Sequence, residues 1–186
     1  FGRGLFQSLG EYALSHADFS IVVCVPNVQA ARGHRVIGWK NCGVLELLSA
    51  ELEERESDYV GYNEFKYMLR KDNPYFCIVK DYDFMKWRYS KPDENYFQSF
   101  FDDKHYVIWK YYEGRKQVLE TSNFNLVSKL GGKVDILQFK DSSASTQLKE
   151  KGFKTVLSNE FLIYGSTDVE QNTNLFNFEP GDNDVF

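Results

Sequence analysis

The sequence predicts an α/β fold, a mixed central sheet flanked by helices, with a second, aromatic-rich α+β lobe as a possible further unit. Three observations carry this. Residues 3–16 place Leu5, Leu9, Tyr12, Ala13 and His16 at helical spacing, with Arg3, Gln7 and Glu11 on another face. Ser20 to Val25 is a continuous β-branched run ended by Pro26-Asn27, the pattern of a strand covered on both faces. A short basic helix over 28–41, stopped by Asn41-Cys42-Gly43, then leads into a strand over Val44–Leu48, so helix and strand alternate.

The remaining elements follow in order. Residues 50–58 are charge-dense and read as a solvated helix end or connector. Asn63 caps a helix to about Lys71, with Tyr62, Phe65, Met68 and Leu69 on one face, and Asp72-Asn73-Pro74 breaks it. Tyr75 to Tyr82 is an apolar strand. Ser90 to Glu94 is a turn opening a short aromatic helix through Phe101. His105 to Tyr112 is a strand and Glu113-Gly114-Arg115 a turn. Asn123 to Leu130 reads as a helix stopped by Gly131-Gly132. Strands at 133–140 and 155–164 flank a polar helix at 142–151. The expected division is an α/β half domain over 1–56, a second lobe over 57–165 and an acidic, partly extended tail over 166–186.

Composition narrows the function classes. Of 186 residues 42% are hydrophobic and 17% aromatic, ample material for a packed core. The net charge of −5 is concentrated in residues 155–186, which carry Glu160, Asp168, Glu170, Glu179, Asp182 and Asp184 and no Lys or Arg, so the rest of the chain is close to neutral. A neutral body neither demands nor excludes nucleic acid. Cys24, Cys42 and Cys77 are odd in number and widely spaced, and Cys24 and Cys77 lie in apolar runs; reduced, buried thiols in a cytoplasmic protein are expected. The apolar runs fall far short of the roughly 20 residues of a membrane span, and no signal peptide is present. The chain opens on Phe1, as expected of an excised fragment or a processed product.

Few residues carry chemistry on sequence alone. No G-x-S-x-G, G-x-G-x-x-G or G-x-x-x-x-G-K-[ST] occurs. Glu64-Phe65-Lys66 has the E-x-K form of metal-dependent nucleases, but within a helix its two charges point to different sides, and a solvated face is the commoner meaning. Asp135, beside apolar Val134 and Ile136, stands where a ligand or base can sit and where a polar strand rim is the commoner finding. Arg32, His34, Arg35 and Lys40, with Trp39 nearby, form a compact basic group able to meet a nucleic-acid backbone, and equally an ordinary exposed helix face.

The stretch Gly2-Arg3-Gly4-Leu5-Phe6-Gln7-Ser8-Leu9-Gly10-Glu11-Tyr12-Ala13, then Ala17 to Pro26, then a helix and Gly43-Val44-Leu45-Glu46-Leu47, resembles the second half of a PD-(D/E)XK nuclease-like domain. The resemblance covers residues 2–48, about a quarter of the chain. It implies a nucleic-acid-associated domain of restriction- or repair-nuclease type, incomplete or inactive because the family's metal-binding Asp and E-x-K would precede Phe1. It implies a Mg-dependent hydrolase if active, with Gln7 and Glu11 facing the active site, Arg32, His34, Arg35 and Lys40 on DNA, magnesium as cofactor and metal ligands that cannot be named. The competing expectation is a non-enzymatic protein-interaction subunit that docks a protein partner through its aromatic surface and acidic tail, where Phe176 and Phe178 stand isolated.

Overall fold

The computed structural model describes residues 3–16, 21–53, 59–61, 81–91, 94–101 and 105–165. Helix α1 (Arg3–His16) precedes β1 (Ile21–Cys24), α2 (Val28–Val36), β2 (Lys40–Leu52) and β3 (Tyr59–Gly61). Then come α3 (Tyr82–Arg88), β4 (Tyr96–Phe100), β5 (Tyr106–Tyr112), β6 (Arg115–Thr121) and a 3-10 helix (Phe124–Lys129). β7 (Gly132–Phe139), α4 (Ser143–Glu150) and β8 (Lys154–Gly165) complete the order. The strands form one eight-stranded sheet in the order β1-β8-β2-β7-β6-β5-β4-β3. Strands from both sides of the boundary expected near residues 50–61 therefore share a sheet. The fold class is α/β, a mixed sheet flanked by helices.

Alternation along the strands assigns the two faces. Val107, Trp109, Val118, Val134, Ile136 and Leu48 pack under Leu126, Val127 and Leu130 of the 3-10 segment and Leu148 of α4. Further along the same face, Ala31 of α2 packs on Leu162 and Trp39. The intervening residues Tyr106 and Ile108 point the other way and meet Met85 and Tyr89 at α3. Leu45, Leu137, Phe161 and Ile163 continue that second face. Hence α2, α4 and the 3-10 helix cover one face, and α3 lies on the other.

Local chemistry explains most boundaries. Asn27, Asp81, Asn123 and Ser142 each cap the segment that follows, accepting from the backbone N–H of Ala30, Phe84, Asn125 and Ser145. Glu113 and Gly114, at φ 50° and 75°, form the two-residue loop between β5 and β6, the left-handed pair that matches strand twist.

Several expectations are corrected. The basic helix ends at Val36, because Gly38 adopts φ 95° and β2 begins at Lys40. β2 runs for 13 residues and absorbs Ala50 to Leu52, since it is paired with β7 on one side and β8 on the other. The aromatic segment before Phe101 is strand β4, not a helix; its register on β5 places Phe97 opposite Trp109, and their rings stack at 4.6 Å. β6 and α3 were not expected at all. The segment read as a helix after Asn123 is a 3-10 helix. On α1, Leu9 and Tyr12 of the expected apolar face are 59% and 63% exposed. The helix expected over 63–71, the strand over 75–82, Cys77, the Glu64-Lys66 pair and the tail from 166 lie outside the described residues. Among the described residues no helix is long and apolar enough to cross a membrane.

Two outcomes follow from this packing. Ile136 is 1% exposed between β6 and β2; Ile136→Ala should lower unfolding free energy by about 2–5 kcal/mol in urea titrations, and a loss under about 1 kcal/mol would contradict its place in the core. Half-buried Cys24 lies against α2, and burial pushes its thiol up to about 11. Since the thiolate is the reactive form, its population at pH 7–8 falls on the order of 100-fold below that of an unshifted thiol. Iodoacetamide labelling of native protein, mapped by mass spectrometry, should be slow at Cys24 and accelerate only toward pH 11.

Candidate functional site

The sheet has one parallel pair of neighbours among its described strands, β6 and β7, and its registry is short. Lys116, Gln117 and Val118 pair with Val134, Asp135 and Ile136, and there the pairing ends. Each strand nevertheless keeps its outer neighbour further along. β6 stays on β5 as far as Thr121 opposite Val107, and β7 stays on β2 as far as Phe139 opposite Leu45. The two strands therefore diverge, and a wedge opens between Leu119–Thr121 and Leu137–Phe139. A bulge accompanies the opening. Trp109 faces Val118 and Ile108 faces Glu120, so Leu119 is the extra residue on β6. A bulge bends its strand and raises the local twist. In an open α/β sheet, the carboxyl ends of strands where the chain direction changes are where ligands bind.

The wedge carries a buried carboxylate. Glu120 is 2% exposed; it accepts from the Tyr106 hydroxyl at 2.8 Å on one oxygen and from the Tyr89 hydroxyl at 3.2 Å on the other. Tyr89 follows α3, so the pair ties that helix to the bulged strand. Beside it, buried Arg88 hydrogen-bonds Tyr96, whose hydroxyl is pushed above its ordinary range mainly by burial and also by Glu94, against the opposing pull of Arg88 and Lys91. On the other strand, Gln138 is 5% exposed and its Nε2 has no hydrogen-bond partner among the described residues. Its neighbour across β2, Glu46, is bound by α4 through Lys149 at 2.5 Å and Ser145 at 3.3 Å.

The residues singled out by sequence lie elsewhere. Gln7 donates to Glu11 at 2.9 Å on the exposed surface of α1. On α2, Arg32 is exposed, Arg35 pairs with Glu160 at 3.1 Å, and His34 Nδ1 lies 2.9 Å from the Ala30 carbonyl with its ring edge-on to Trp39. Lys40 opens β2. α2 packs on β8, two places from β7 in the sheet, and α1 lies against α2. Asp135 is committed to Arg115 at 2.7 Å, and Arg115 also donates to Ser49 and the Ala50 carbonyl. Gly131 and Gly132, at φ 64° and 72°, end the 3-10 helix as the sequence suggested. No group of three or more His, Cys, Asp or Glu suited to a metal occurs among the described residues. Glu120 and Gln138 escaped the sequence reading. The legible signal was Glu113-Gly114 after a strand, which predicts a returning strand and makes Glu120 a lone carboxylate within it.

No family model matches the chain, and no curated protein is significantly similar to it in sequence. Solved structures are similar in fold. An assigned acetyltransferase from Pyrococcus horikoshii superposes with a TM-score of 0.59 at 12% identity, over 97% of this chain and 64% of that one. A GCN5-related N-acetyltransferase from Kribbella flavida gives 0.52 at 12% identity, over 87% and 48%, and one from Anabaena variabilis ATCC 29413 gives 0.49 at 12%, over 87% and 49%. The chain thus spans less than two thirds of the length of each. These similarities correct the earlier expectations. The resemblance of residues 2–48 to a PD-(D/E)XK domain rested on an order of elements that α1, β1, α2 and β2 imitate within another sheet. The nuclease, hydrolase, DNA-binding and magnesium readings fall with it, and the neighbours give no support to a non-enzymatic interaction subunit. What this chain shares with them is the fold of GCN5-related N-acetyltransferases.

Proposed function

We propose that this chain transfers an acyl group from a thioester to an amine at the wedge between β6 and β7. The observation that carries the reading is the lapse of β6–β7 pairing beside the bulge at Leu119, next to a buried carboxylate. Beyond Val118 and Ile136 the edges of β6 and β7 are no longer in register with each other, and an extended amide-bearing arm can add to such an edge as a strand would. The acetyltransferase neighbours support acyl transfer as the reaction type.

The chemistry requires an amine in its neutral form and a polarised carbonyl. The amine lone pair attacks the thioester carbon, the C–N bond forms, the C–S bond breaks and the thiolate leaves. The ammonium proton must go to a base. Glu120 is the buried carboxylate of the bulged strand, and the hydroxyls of Tyr89 and Tyr106 fix its orientation. Accepting that proton is the role we assign it. Tyr106 donates to one oxygen and Tyr89 to the other.

Coenzyme A is the donor that the fold implies. Its amide arm would lie along the diverging edges of β6 and β7. Its diphosphate does not fit the turn after β6, where the N–H groups of Ser122, Asn123, Asn125 and Leu126 are already used within the chain.

Turnover of acetyl thioester with a panel of primary amines, followed by thiol release, tests the reading. Glu120→Gln should lower kcat by on the order of 100-fold or more and remove the acidic limb of the pH profile, with the melting temperature kept within a few degrees. Unchanged kcat in a folded Glu120→Gln protein would remove Glu120 from the chemistry.

A further inference from the structure

Four of the five backbone N–H groups from Ser122 to Leu126, at the end of β6, are engaged by acceptors of the chain itself. Anions with several oxygens are held by free backbone N–H groups at a strand-to-helix turn, usually with glycine allowing close approach. Here the N–H of Ser122 donates to the Tyr106 carbonyl at 3.0 Å and that of Asn123 to Thr121 Oγ1 at 3.2 Å. The N–H of Asn125 goes to Asn123 Oδ1 at 2.9 Å and that of Leu126 to the Asn123 carbonyl at 3.0 Å. No glycine occurs between Arg115 and Leu130. Nearby cations are also engaged. Lys151 binds Asn125 through its side chain at 2.7 Å, and Lys116 donates to the Leu130 carbonyl at 2.8 Å. A diphosphate arriving at this turn would have to displace bonds that hold the 3-10 helix in place.

Gln138 has the opposite character. It is buried two positions beyond Ile136, the last residue of β7 paired with β6, and its Nε2 finds no acceptor among the described residues. Buried amide donors are satisfied in all but a few cases, and an exception calls for a missing acceptor. An amide carbonyl of an arm lying in the wedge is such an acceptor.

We infer that the acyl donor is recognised through the amide-bearing, pantetheine-like arm beside its thioester, with Gln138 donating to that arm, and not through a diphosphate at the turn after β6. This deepens the acyl-transfer reading and rests on it. The substrate class is then acyl thioesters of pantetheine type, whether or not a nucleotide follows.

The test compares acetyl-coenzyme A with acetyl-pantetheine, which lacks the nucleotide and both phosphates, on the unaltered chain. Values of kcat/KM within about tenfold of each other, a difference of about one factor of ten in binding, support the inference. A preference for acetyl-coenzyme A beyond that overturns it. Gln138→Leu should raise KM about tenfold for both donors with kcat little changed, as expected for one lost hydrogen bond; a loss confined to acetyl-coenzyme A, or no change in KM, overturns the part given to Gln138. No turnover with either donor under any amine removes the acyl-transfer reading itself, and this inference with it.

Discussion

The constraint on which the rest of the structure depends is the competition for hydrogen bonds at β6 and β7. Both strands sit in the middle of an eight-stranded sheet, and each has an antiparallel outer neighbour that holds it along nearly its whole length. Their mutual parallel pairing lasts three residues. Parallel pairing is slightly weaker per residue than antiparallel pairing, so when sheet twist and the bulge at Leu119 pull the two halves apart, it is this contact that gives way. Beyond that contact the two strands are no longer in register with each other.

Everything around the wedge is fastened so that the opening keeps its shape. On one face the 3-10 helix and α4 bridge the two halves through the cluster around Trp109, Val118 and Ile136, and Lys116 reaches the Leu130 carbonyl. On the other, α3 is tied to β6 through Tyr89 and Glu120 and packs over Tyr106 and Ile108. Arg115, at the paired end, joins Asp135 of β7 to Ser49 of β2 and pins the closed end. A carboxylate buried on a strand that bends is costly unless hydrogen-bonded, and the two tyrosine hydroxyls on Glu120 meet that requirement while fixing its direction.

The family resemblance read from residues 2–48 failed for a reason that lies in the sheet. A helix, a buried strand, another helix and a strand are common to many α/β folds. What separates them is the order in which the strands lie side by side, which follows from pairing partners far apart in sequence. β2 takes β7 and β8 as neighbours, 80 or more residues downstream, and nothing within residues 2–48 encodes that choice. Arg32, His34 and Arg35 stand on α2, which rests on β8, away from the wedge, and Arg35 is answered by Glu160.

By itself the sequence determined what short-range chemistry can determine. The helical period of residues 3–16, the β-branched run over 21–24 and the stop at Gly131-Gly132 reappear in the structure, because each depends on backbone dihedrals and hydrogen bonds within a few residues. Tertiary structure alone decided that Tyr96 to Phe100 is a strand, because pairing with β5 overrides the local aromatic pattern. It alone decided that Glu120 is a buried, twice hydrogen-bonded carboxylate, since its partners Tyr89 and Tyr106 stand 31 and 14 residues away. And it alone decided the wedge, which exists only because two strands that meet at their starts prefer their outer neighbours at their ends.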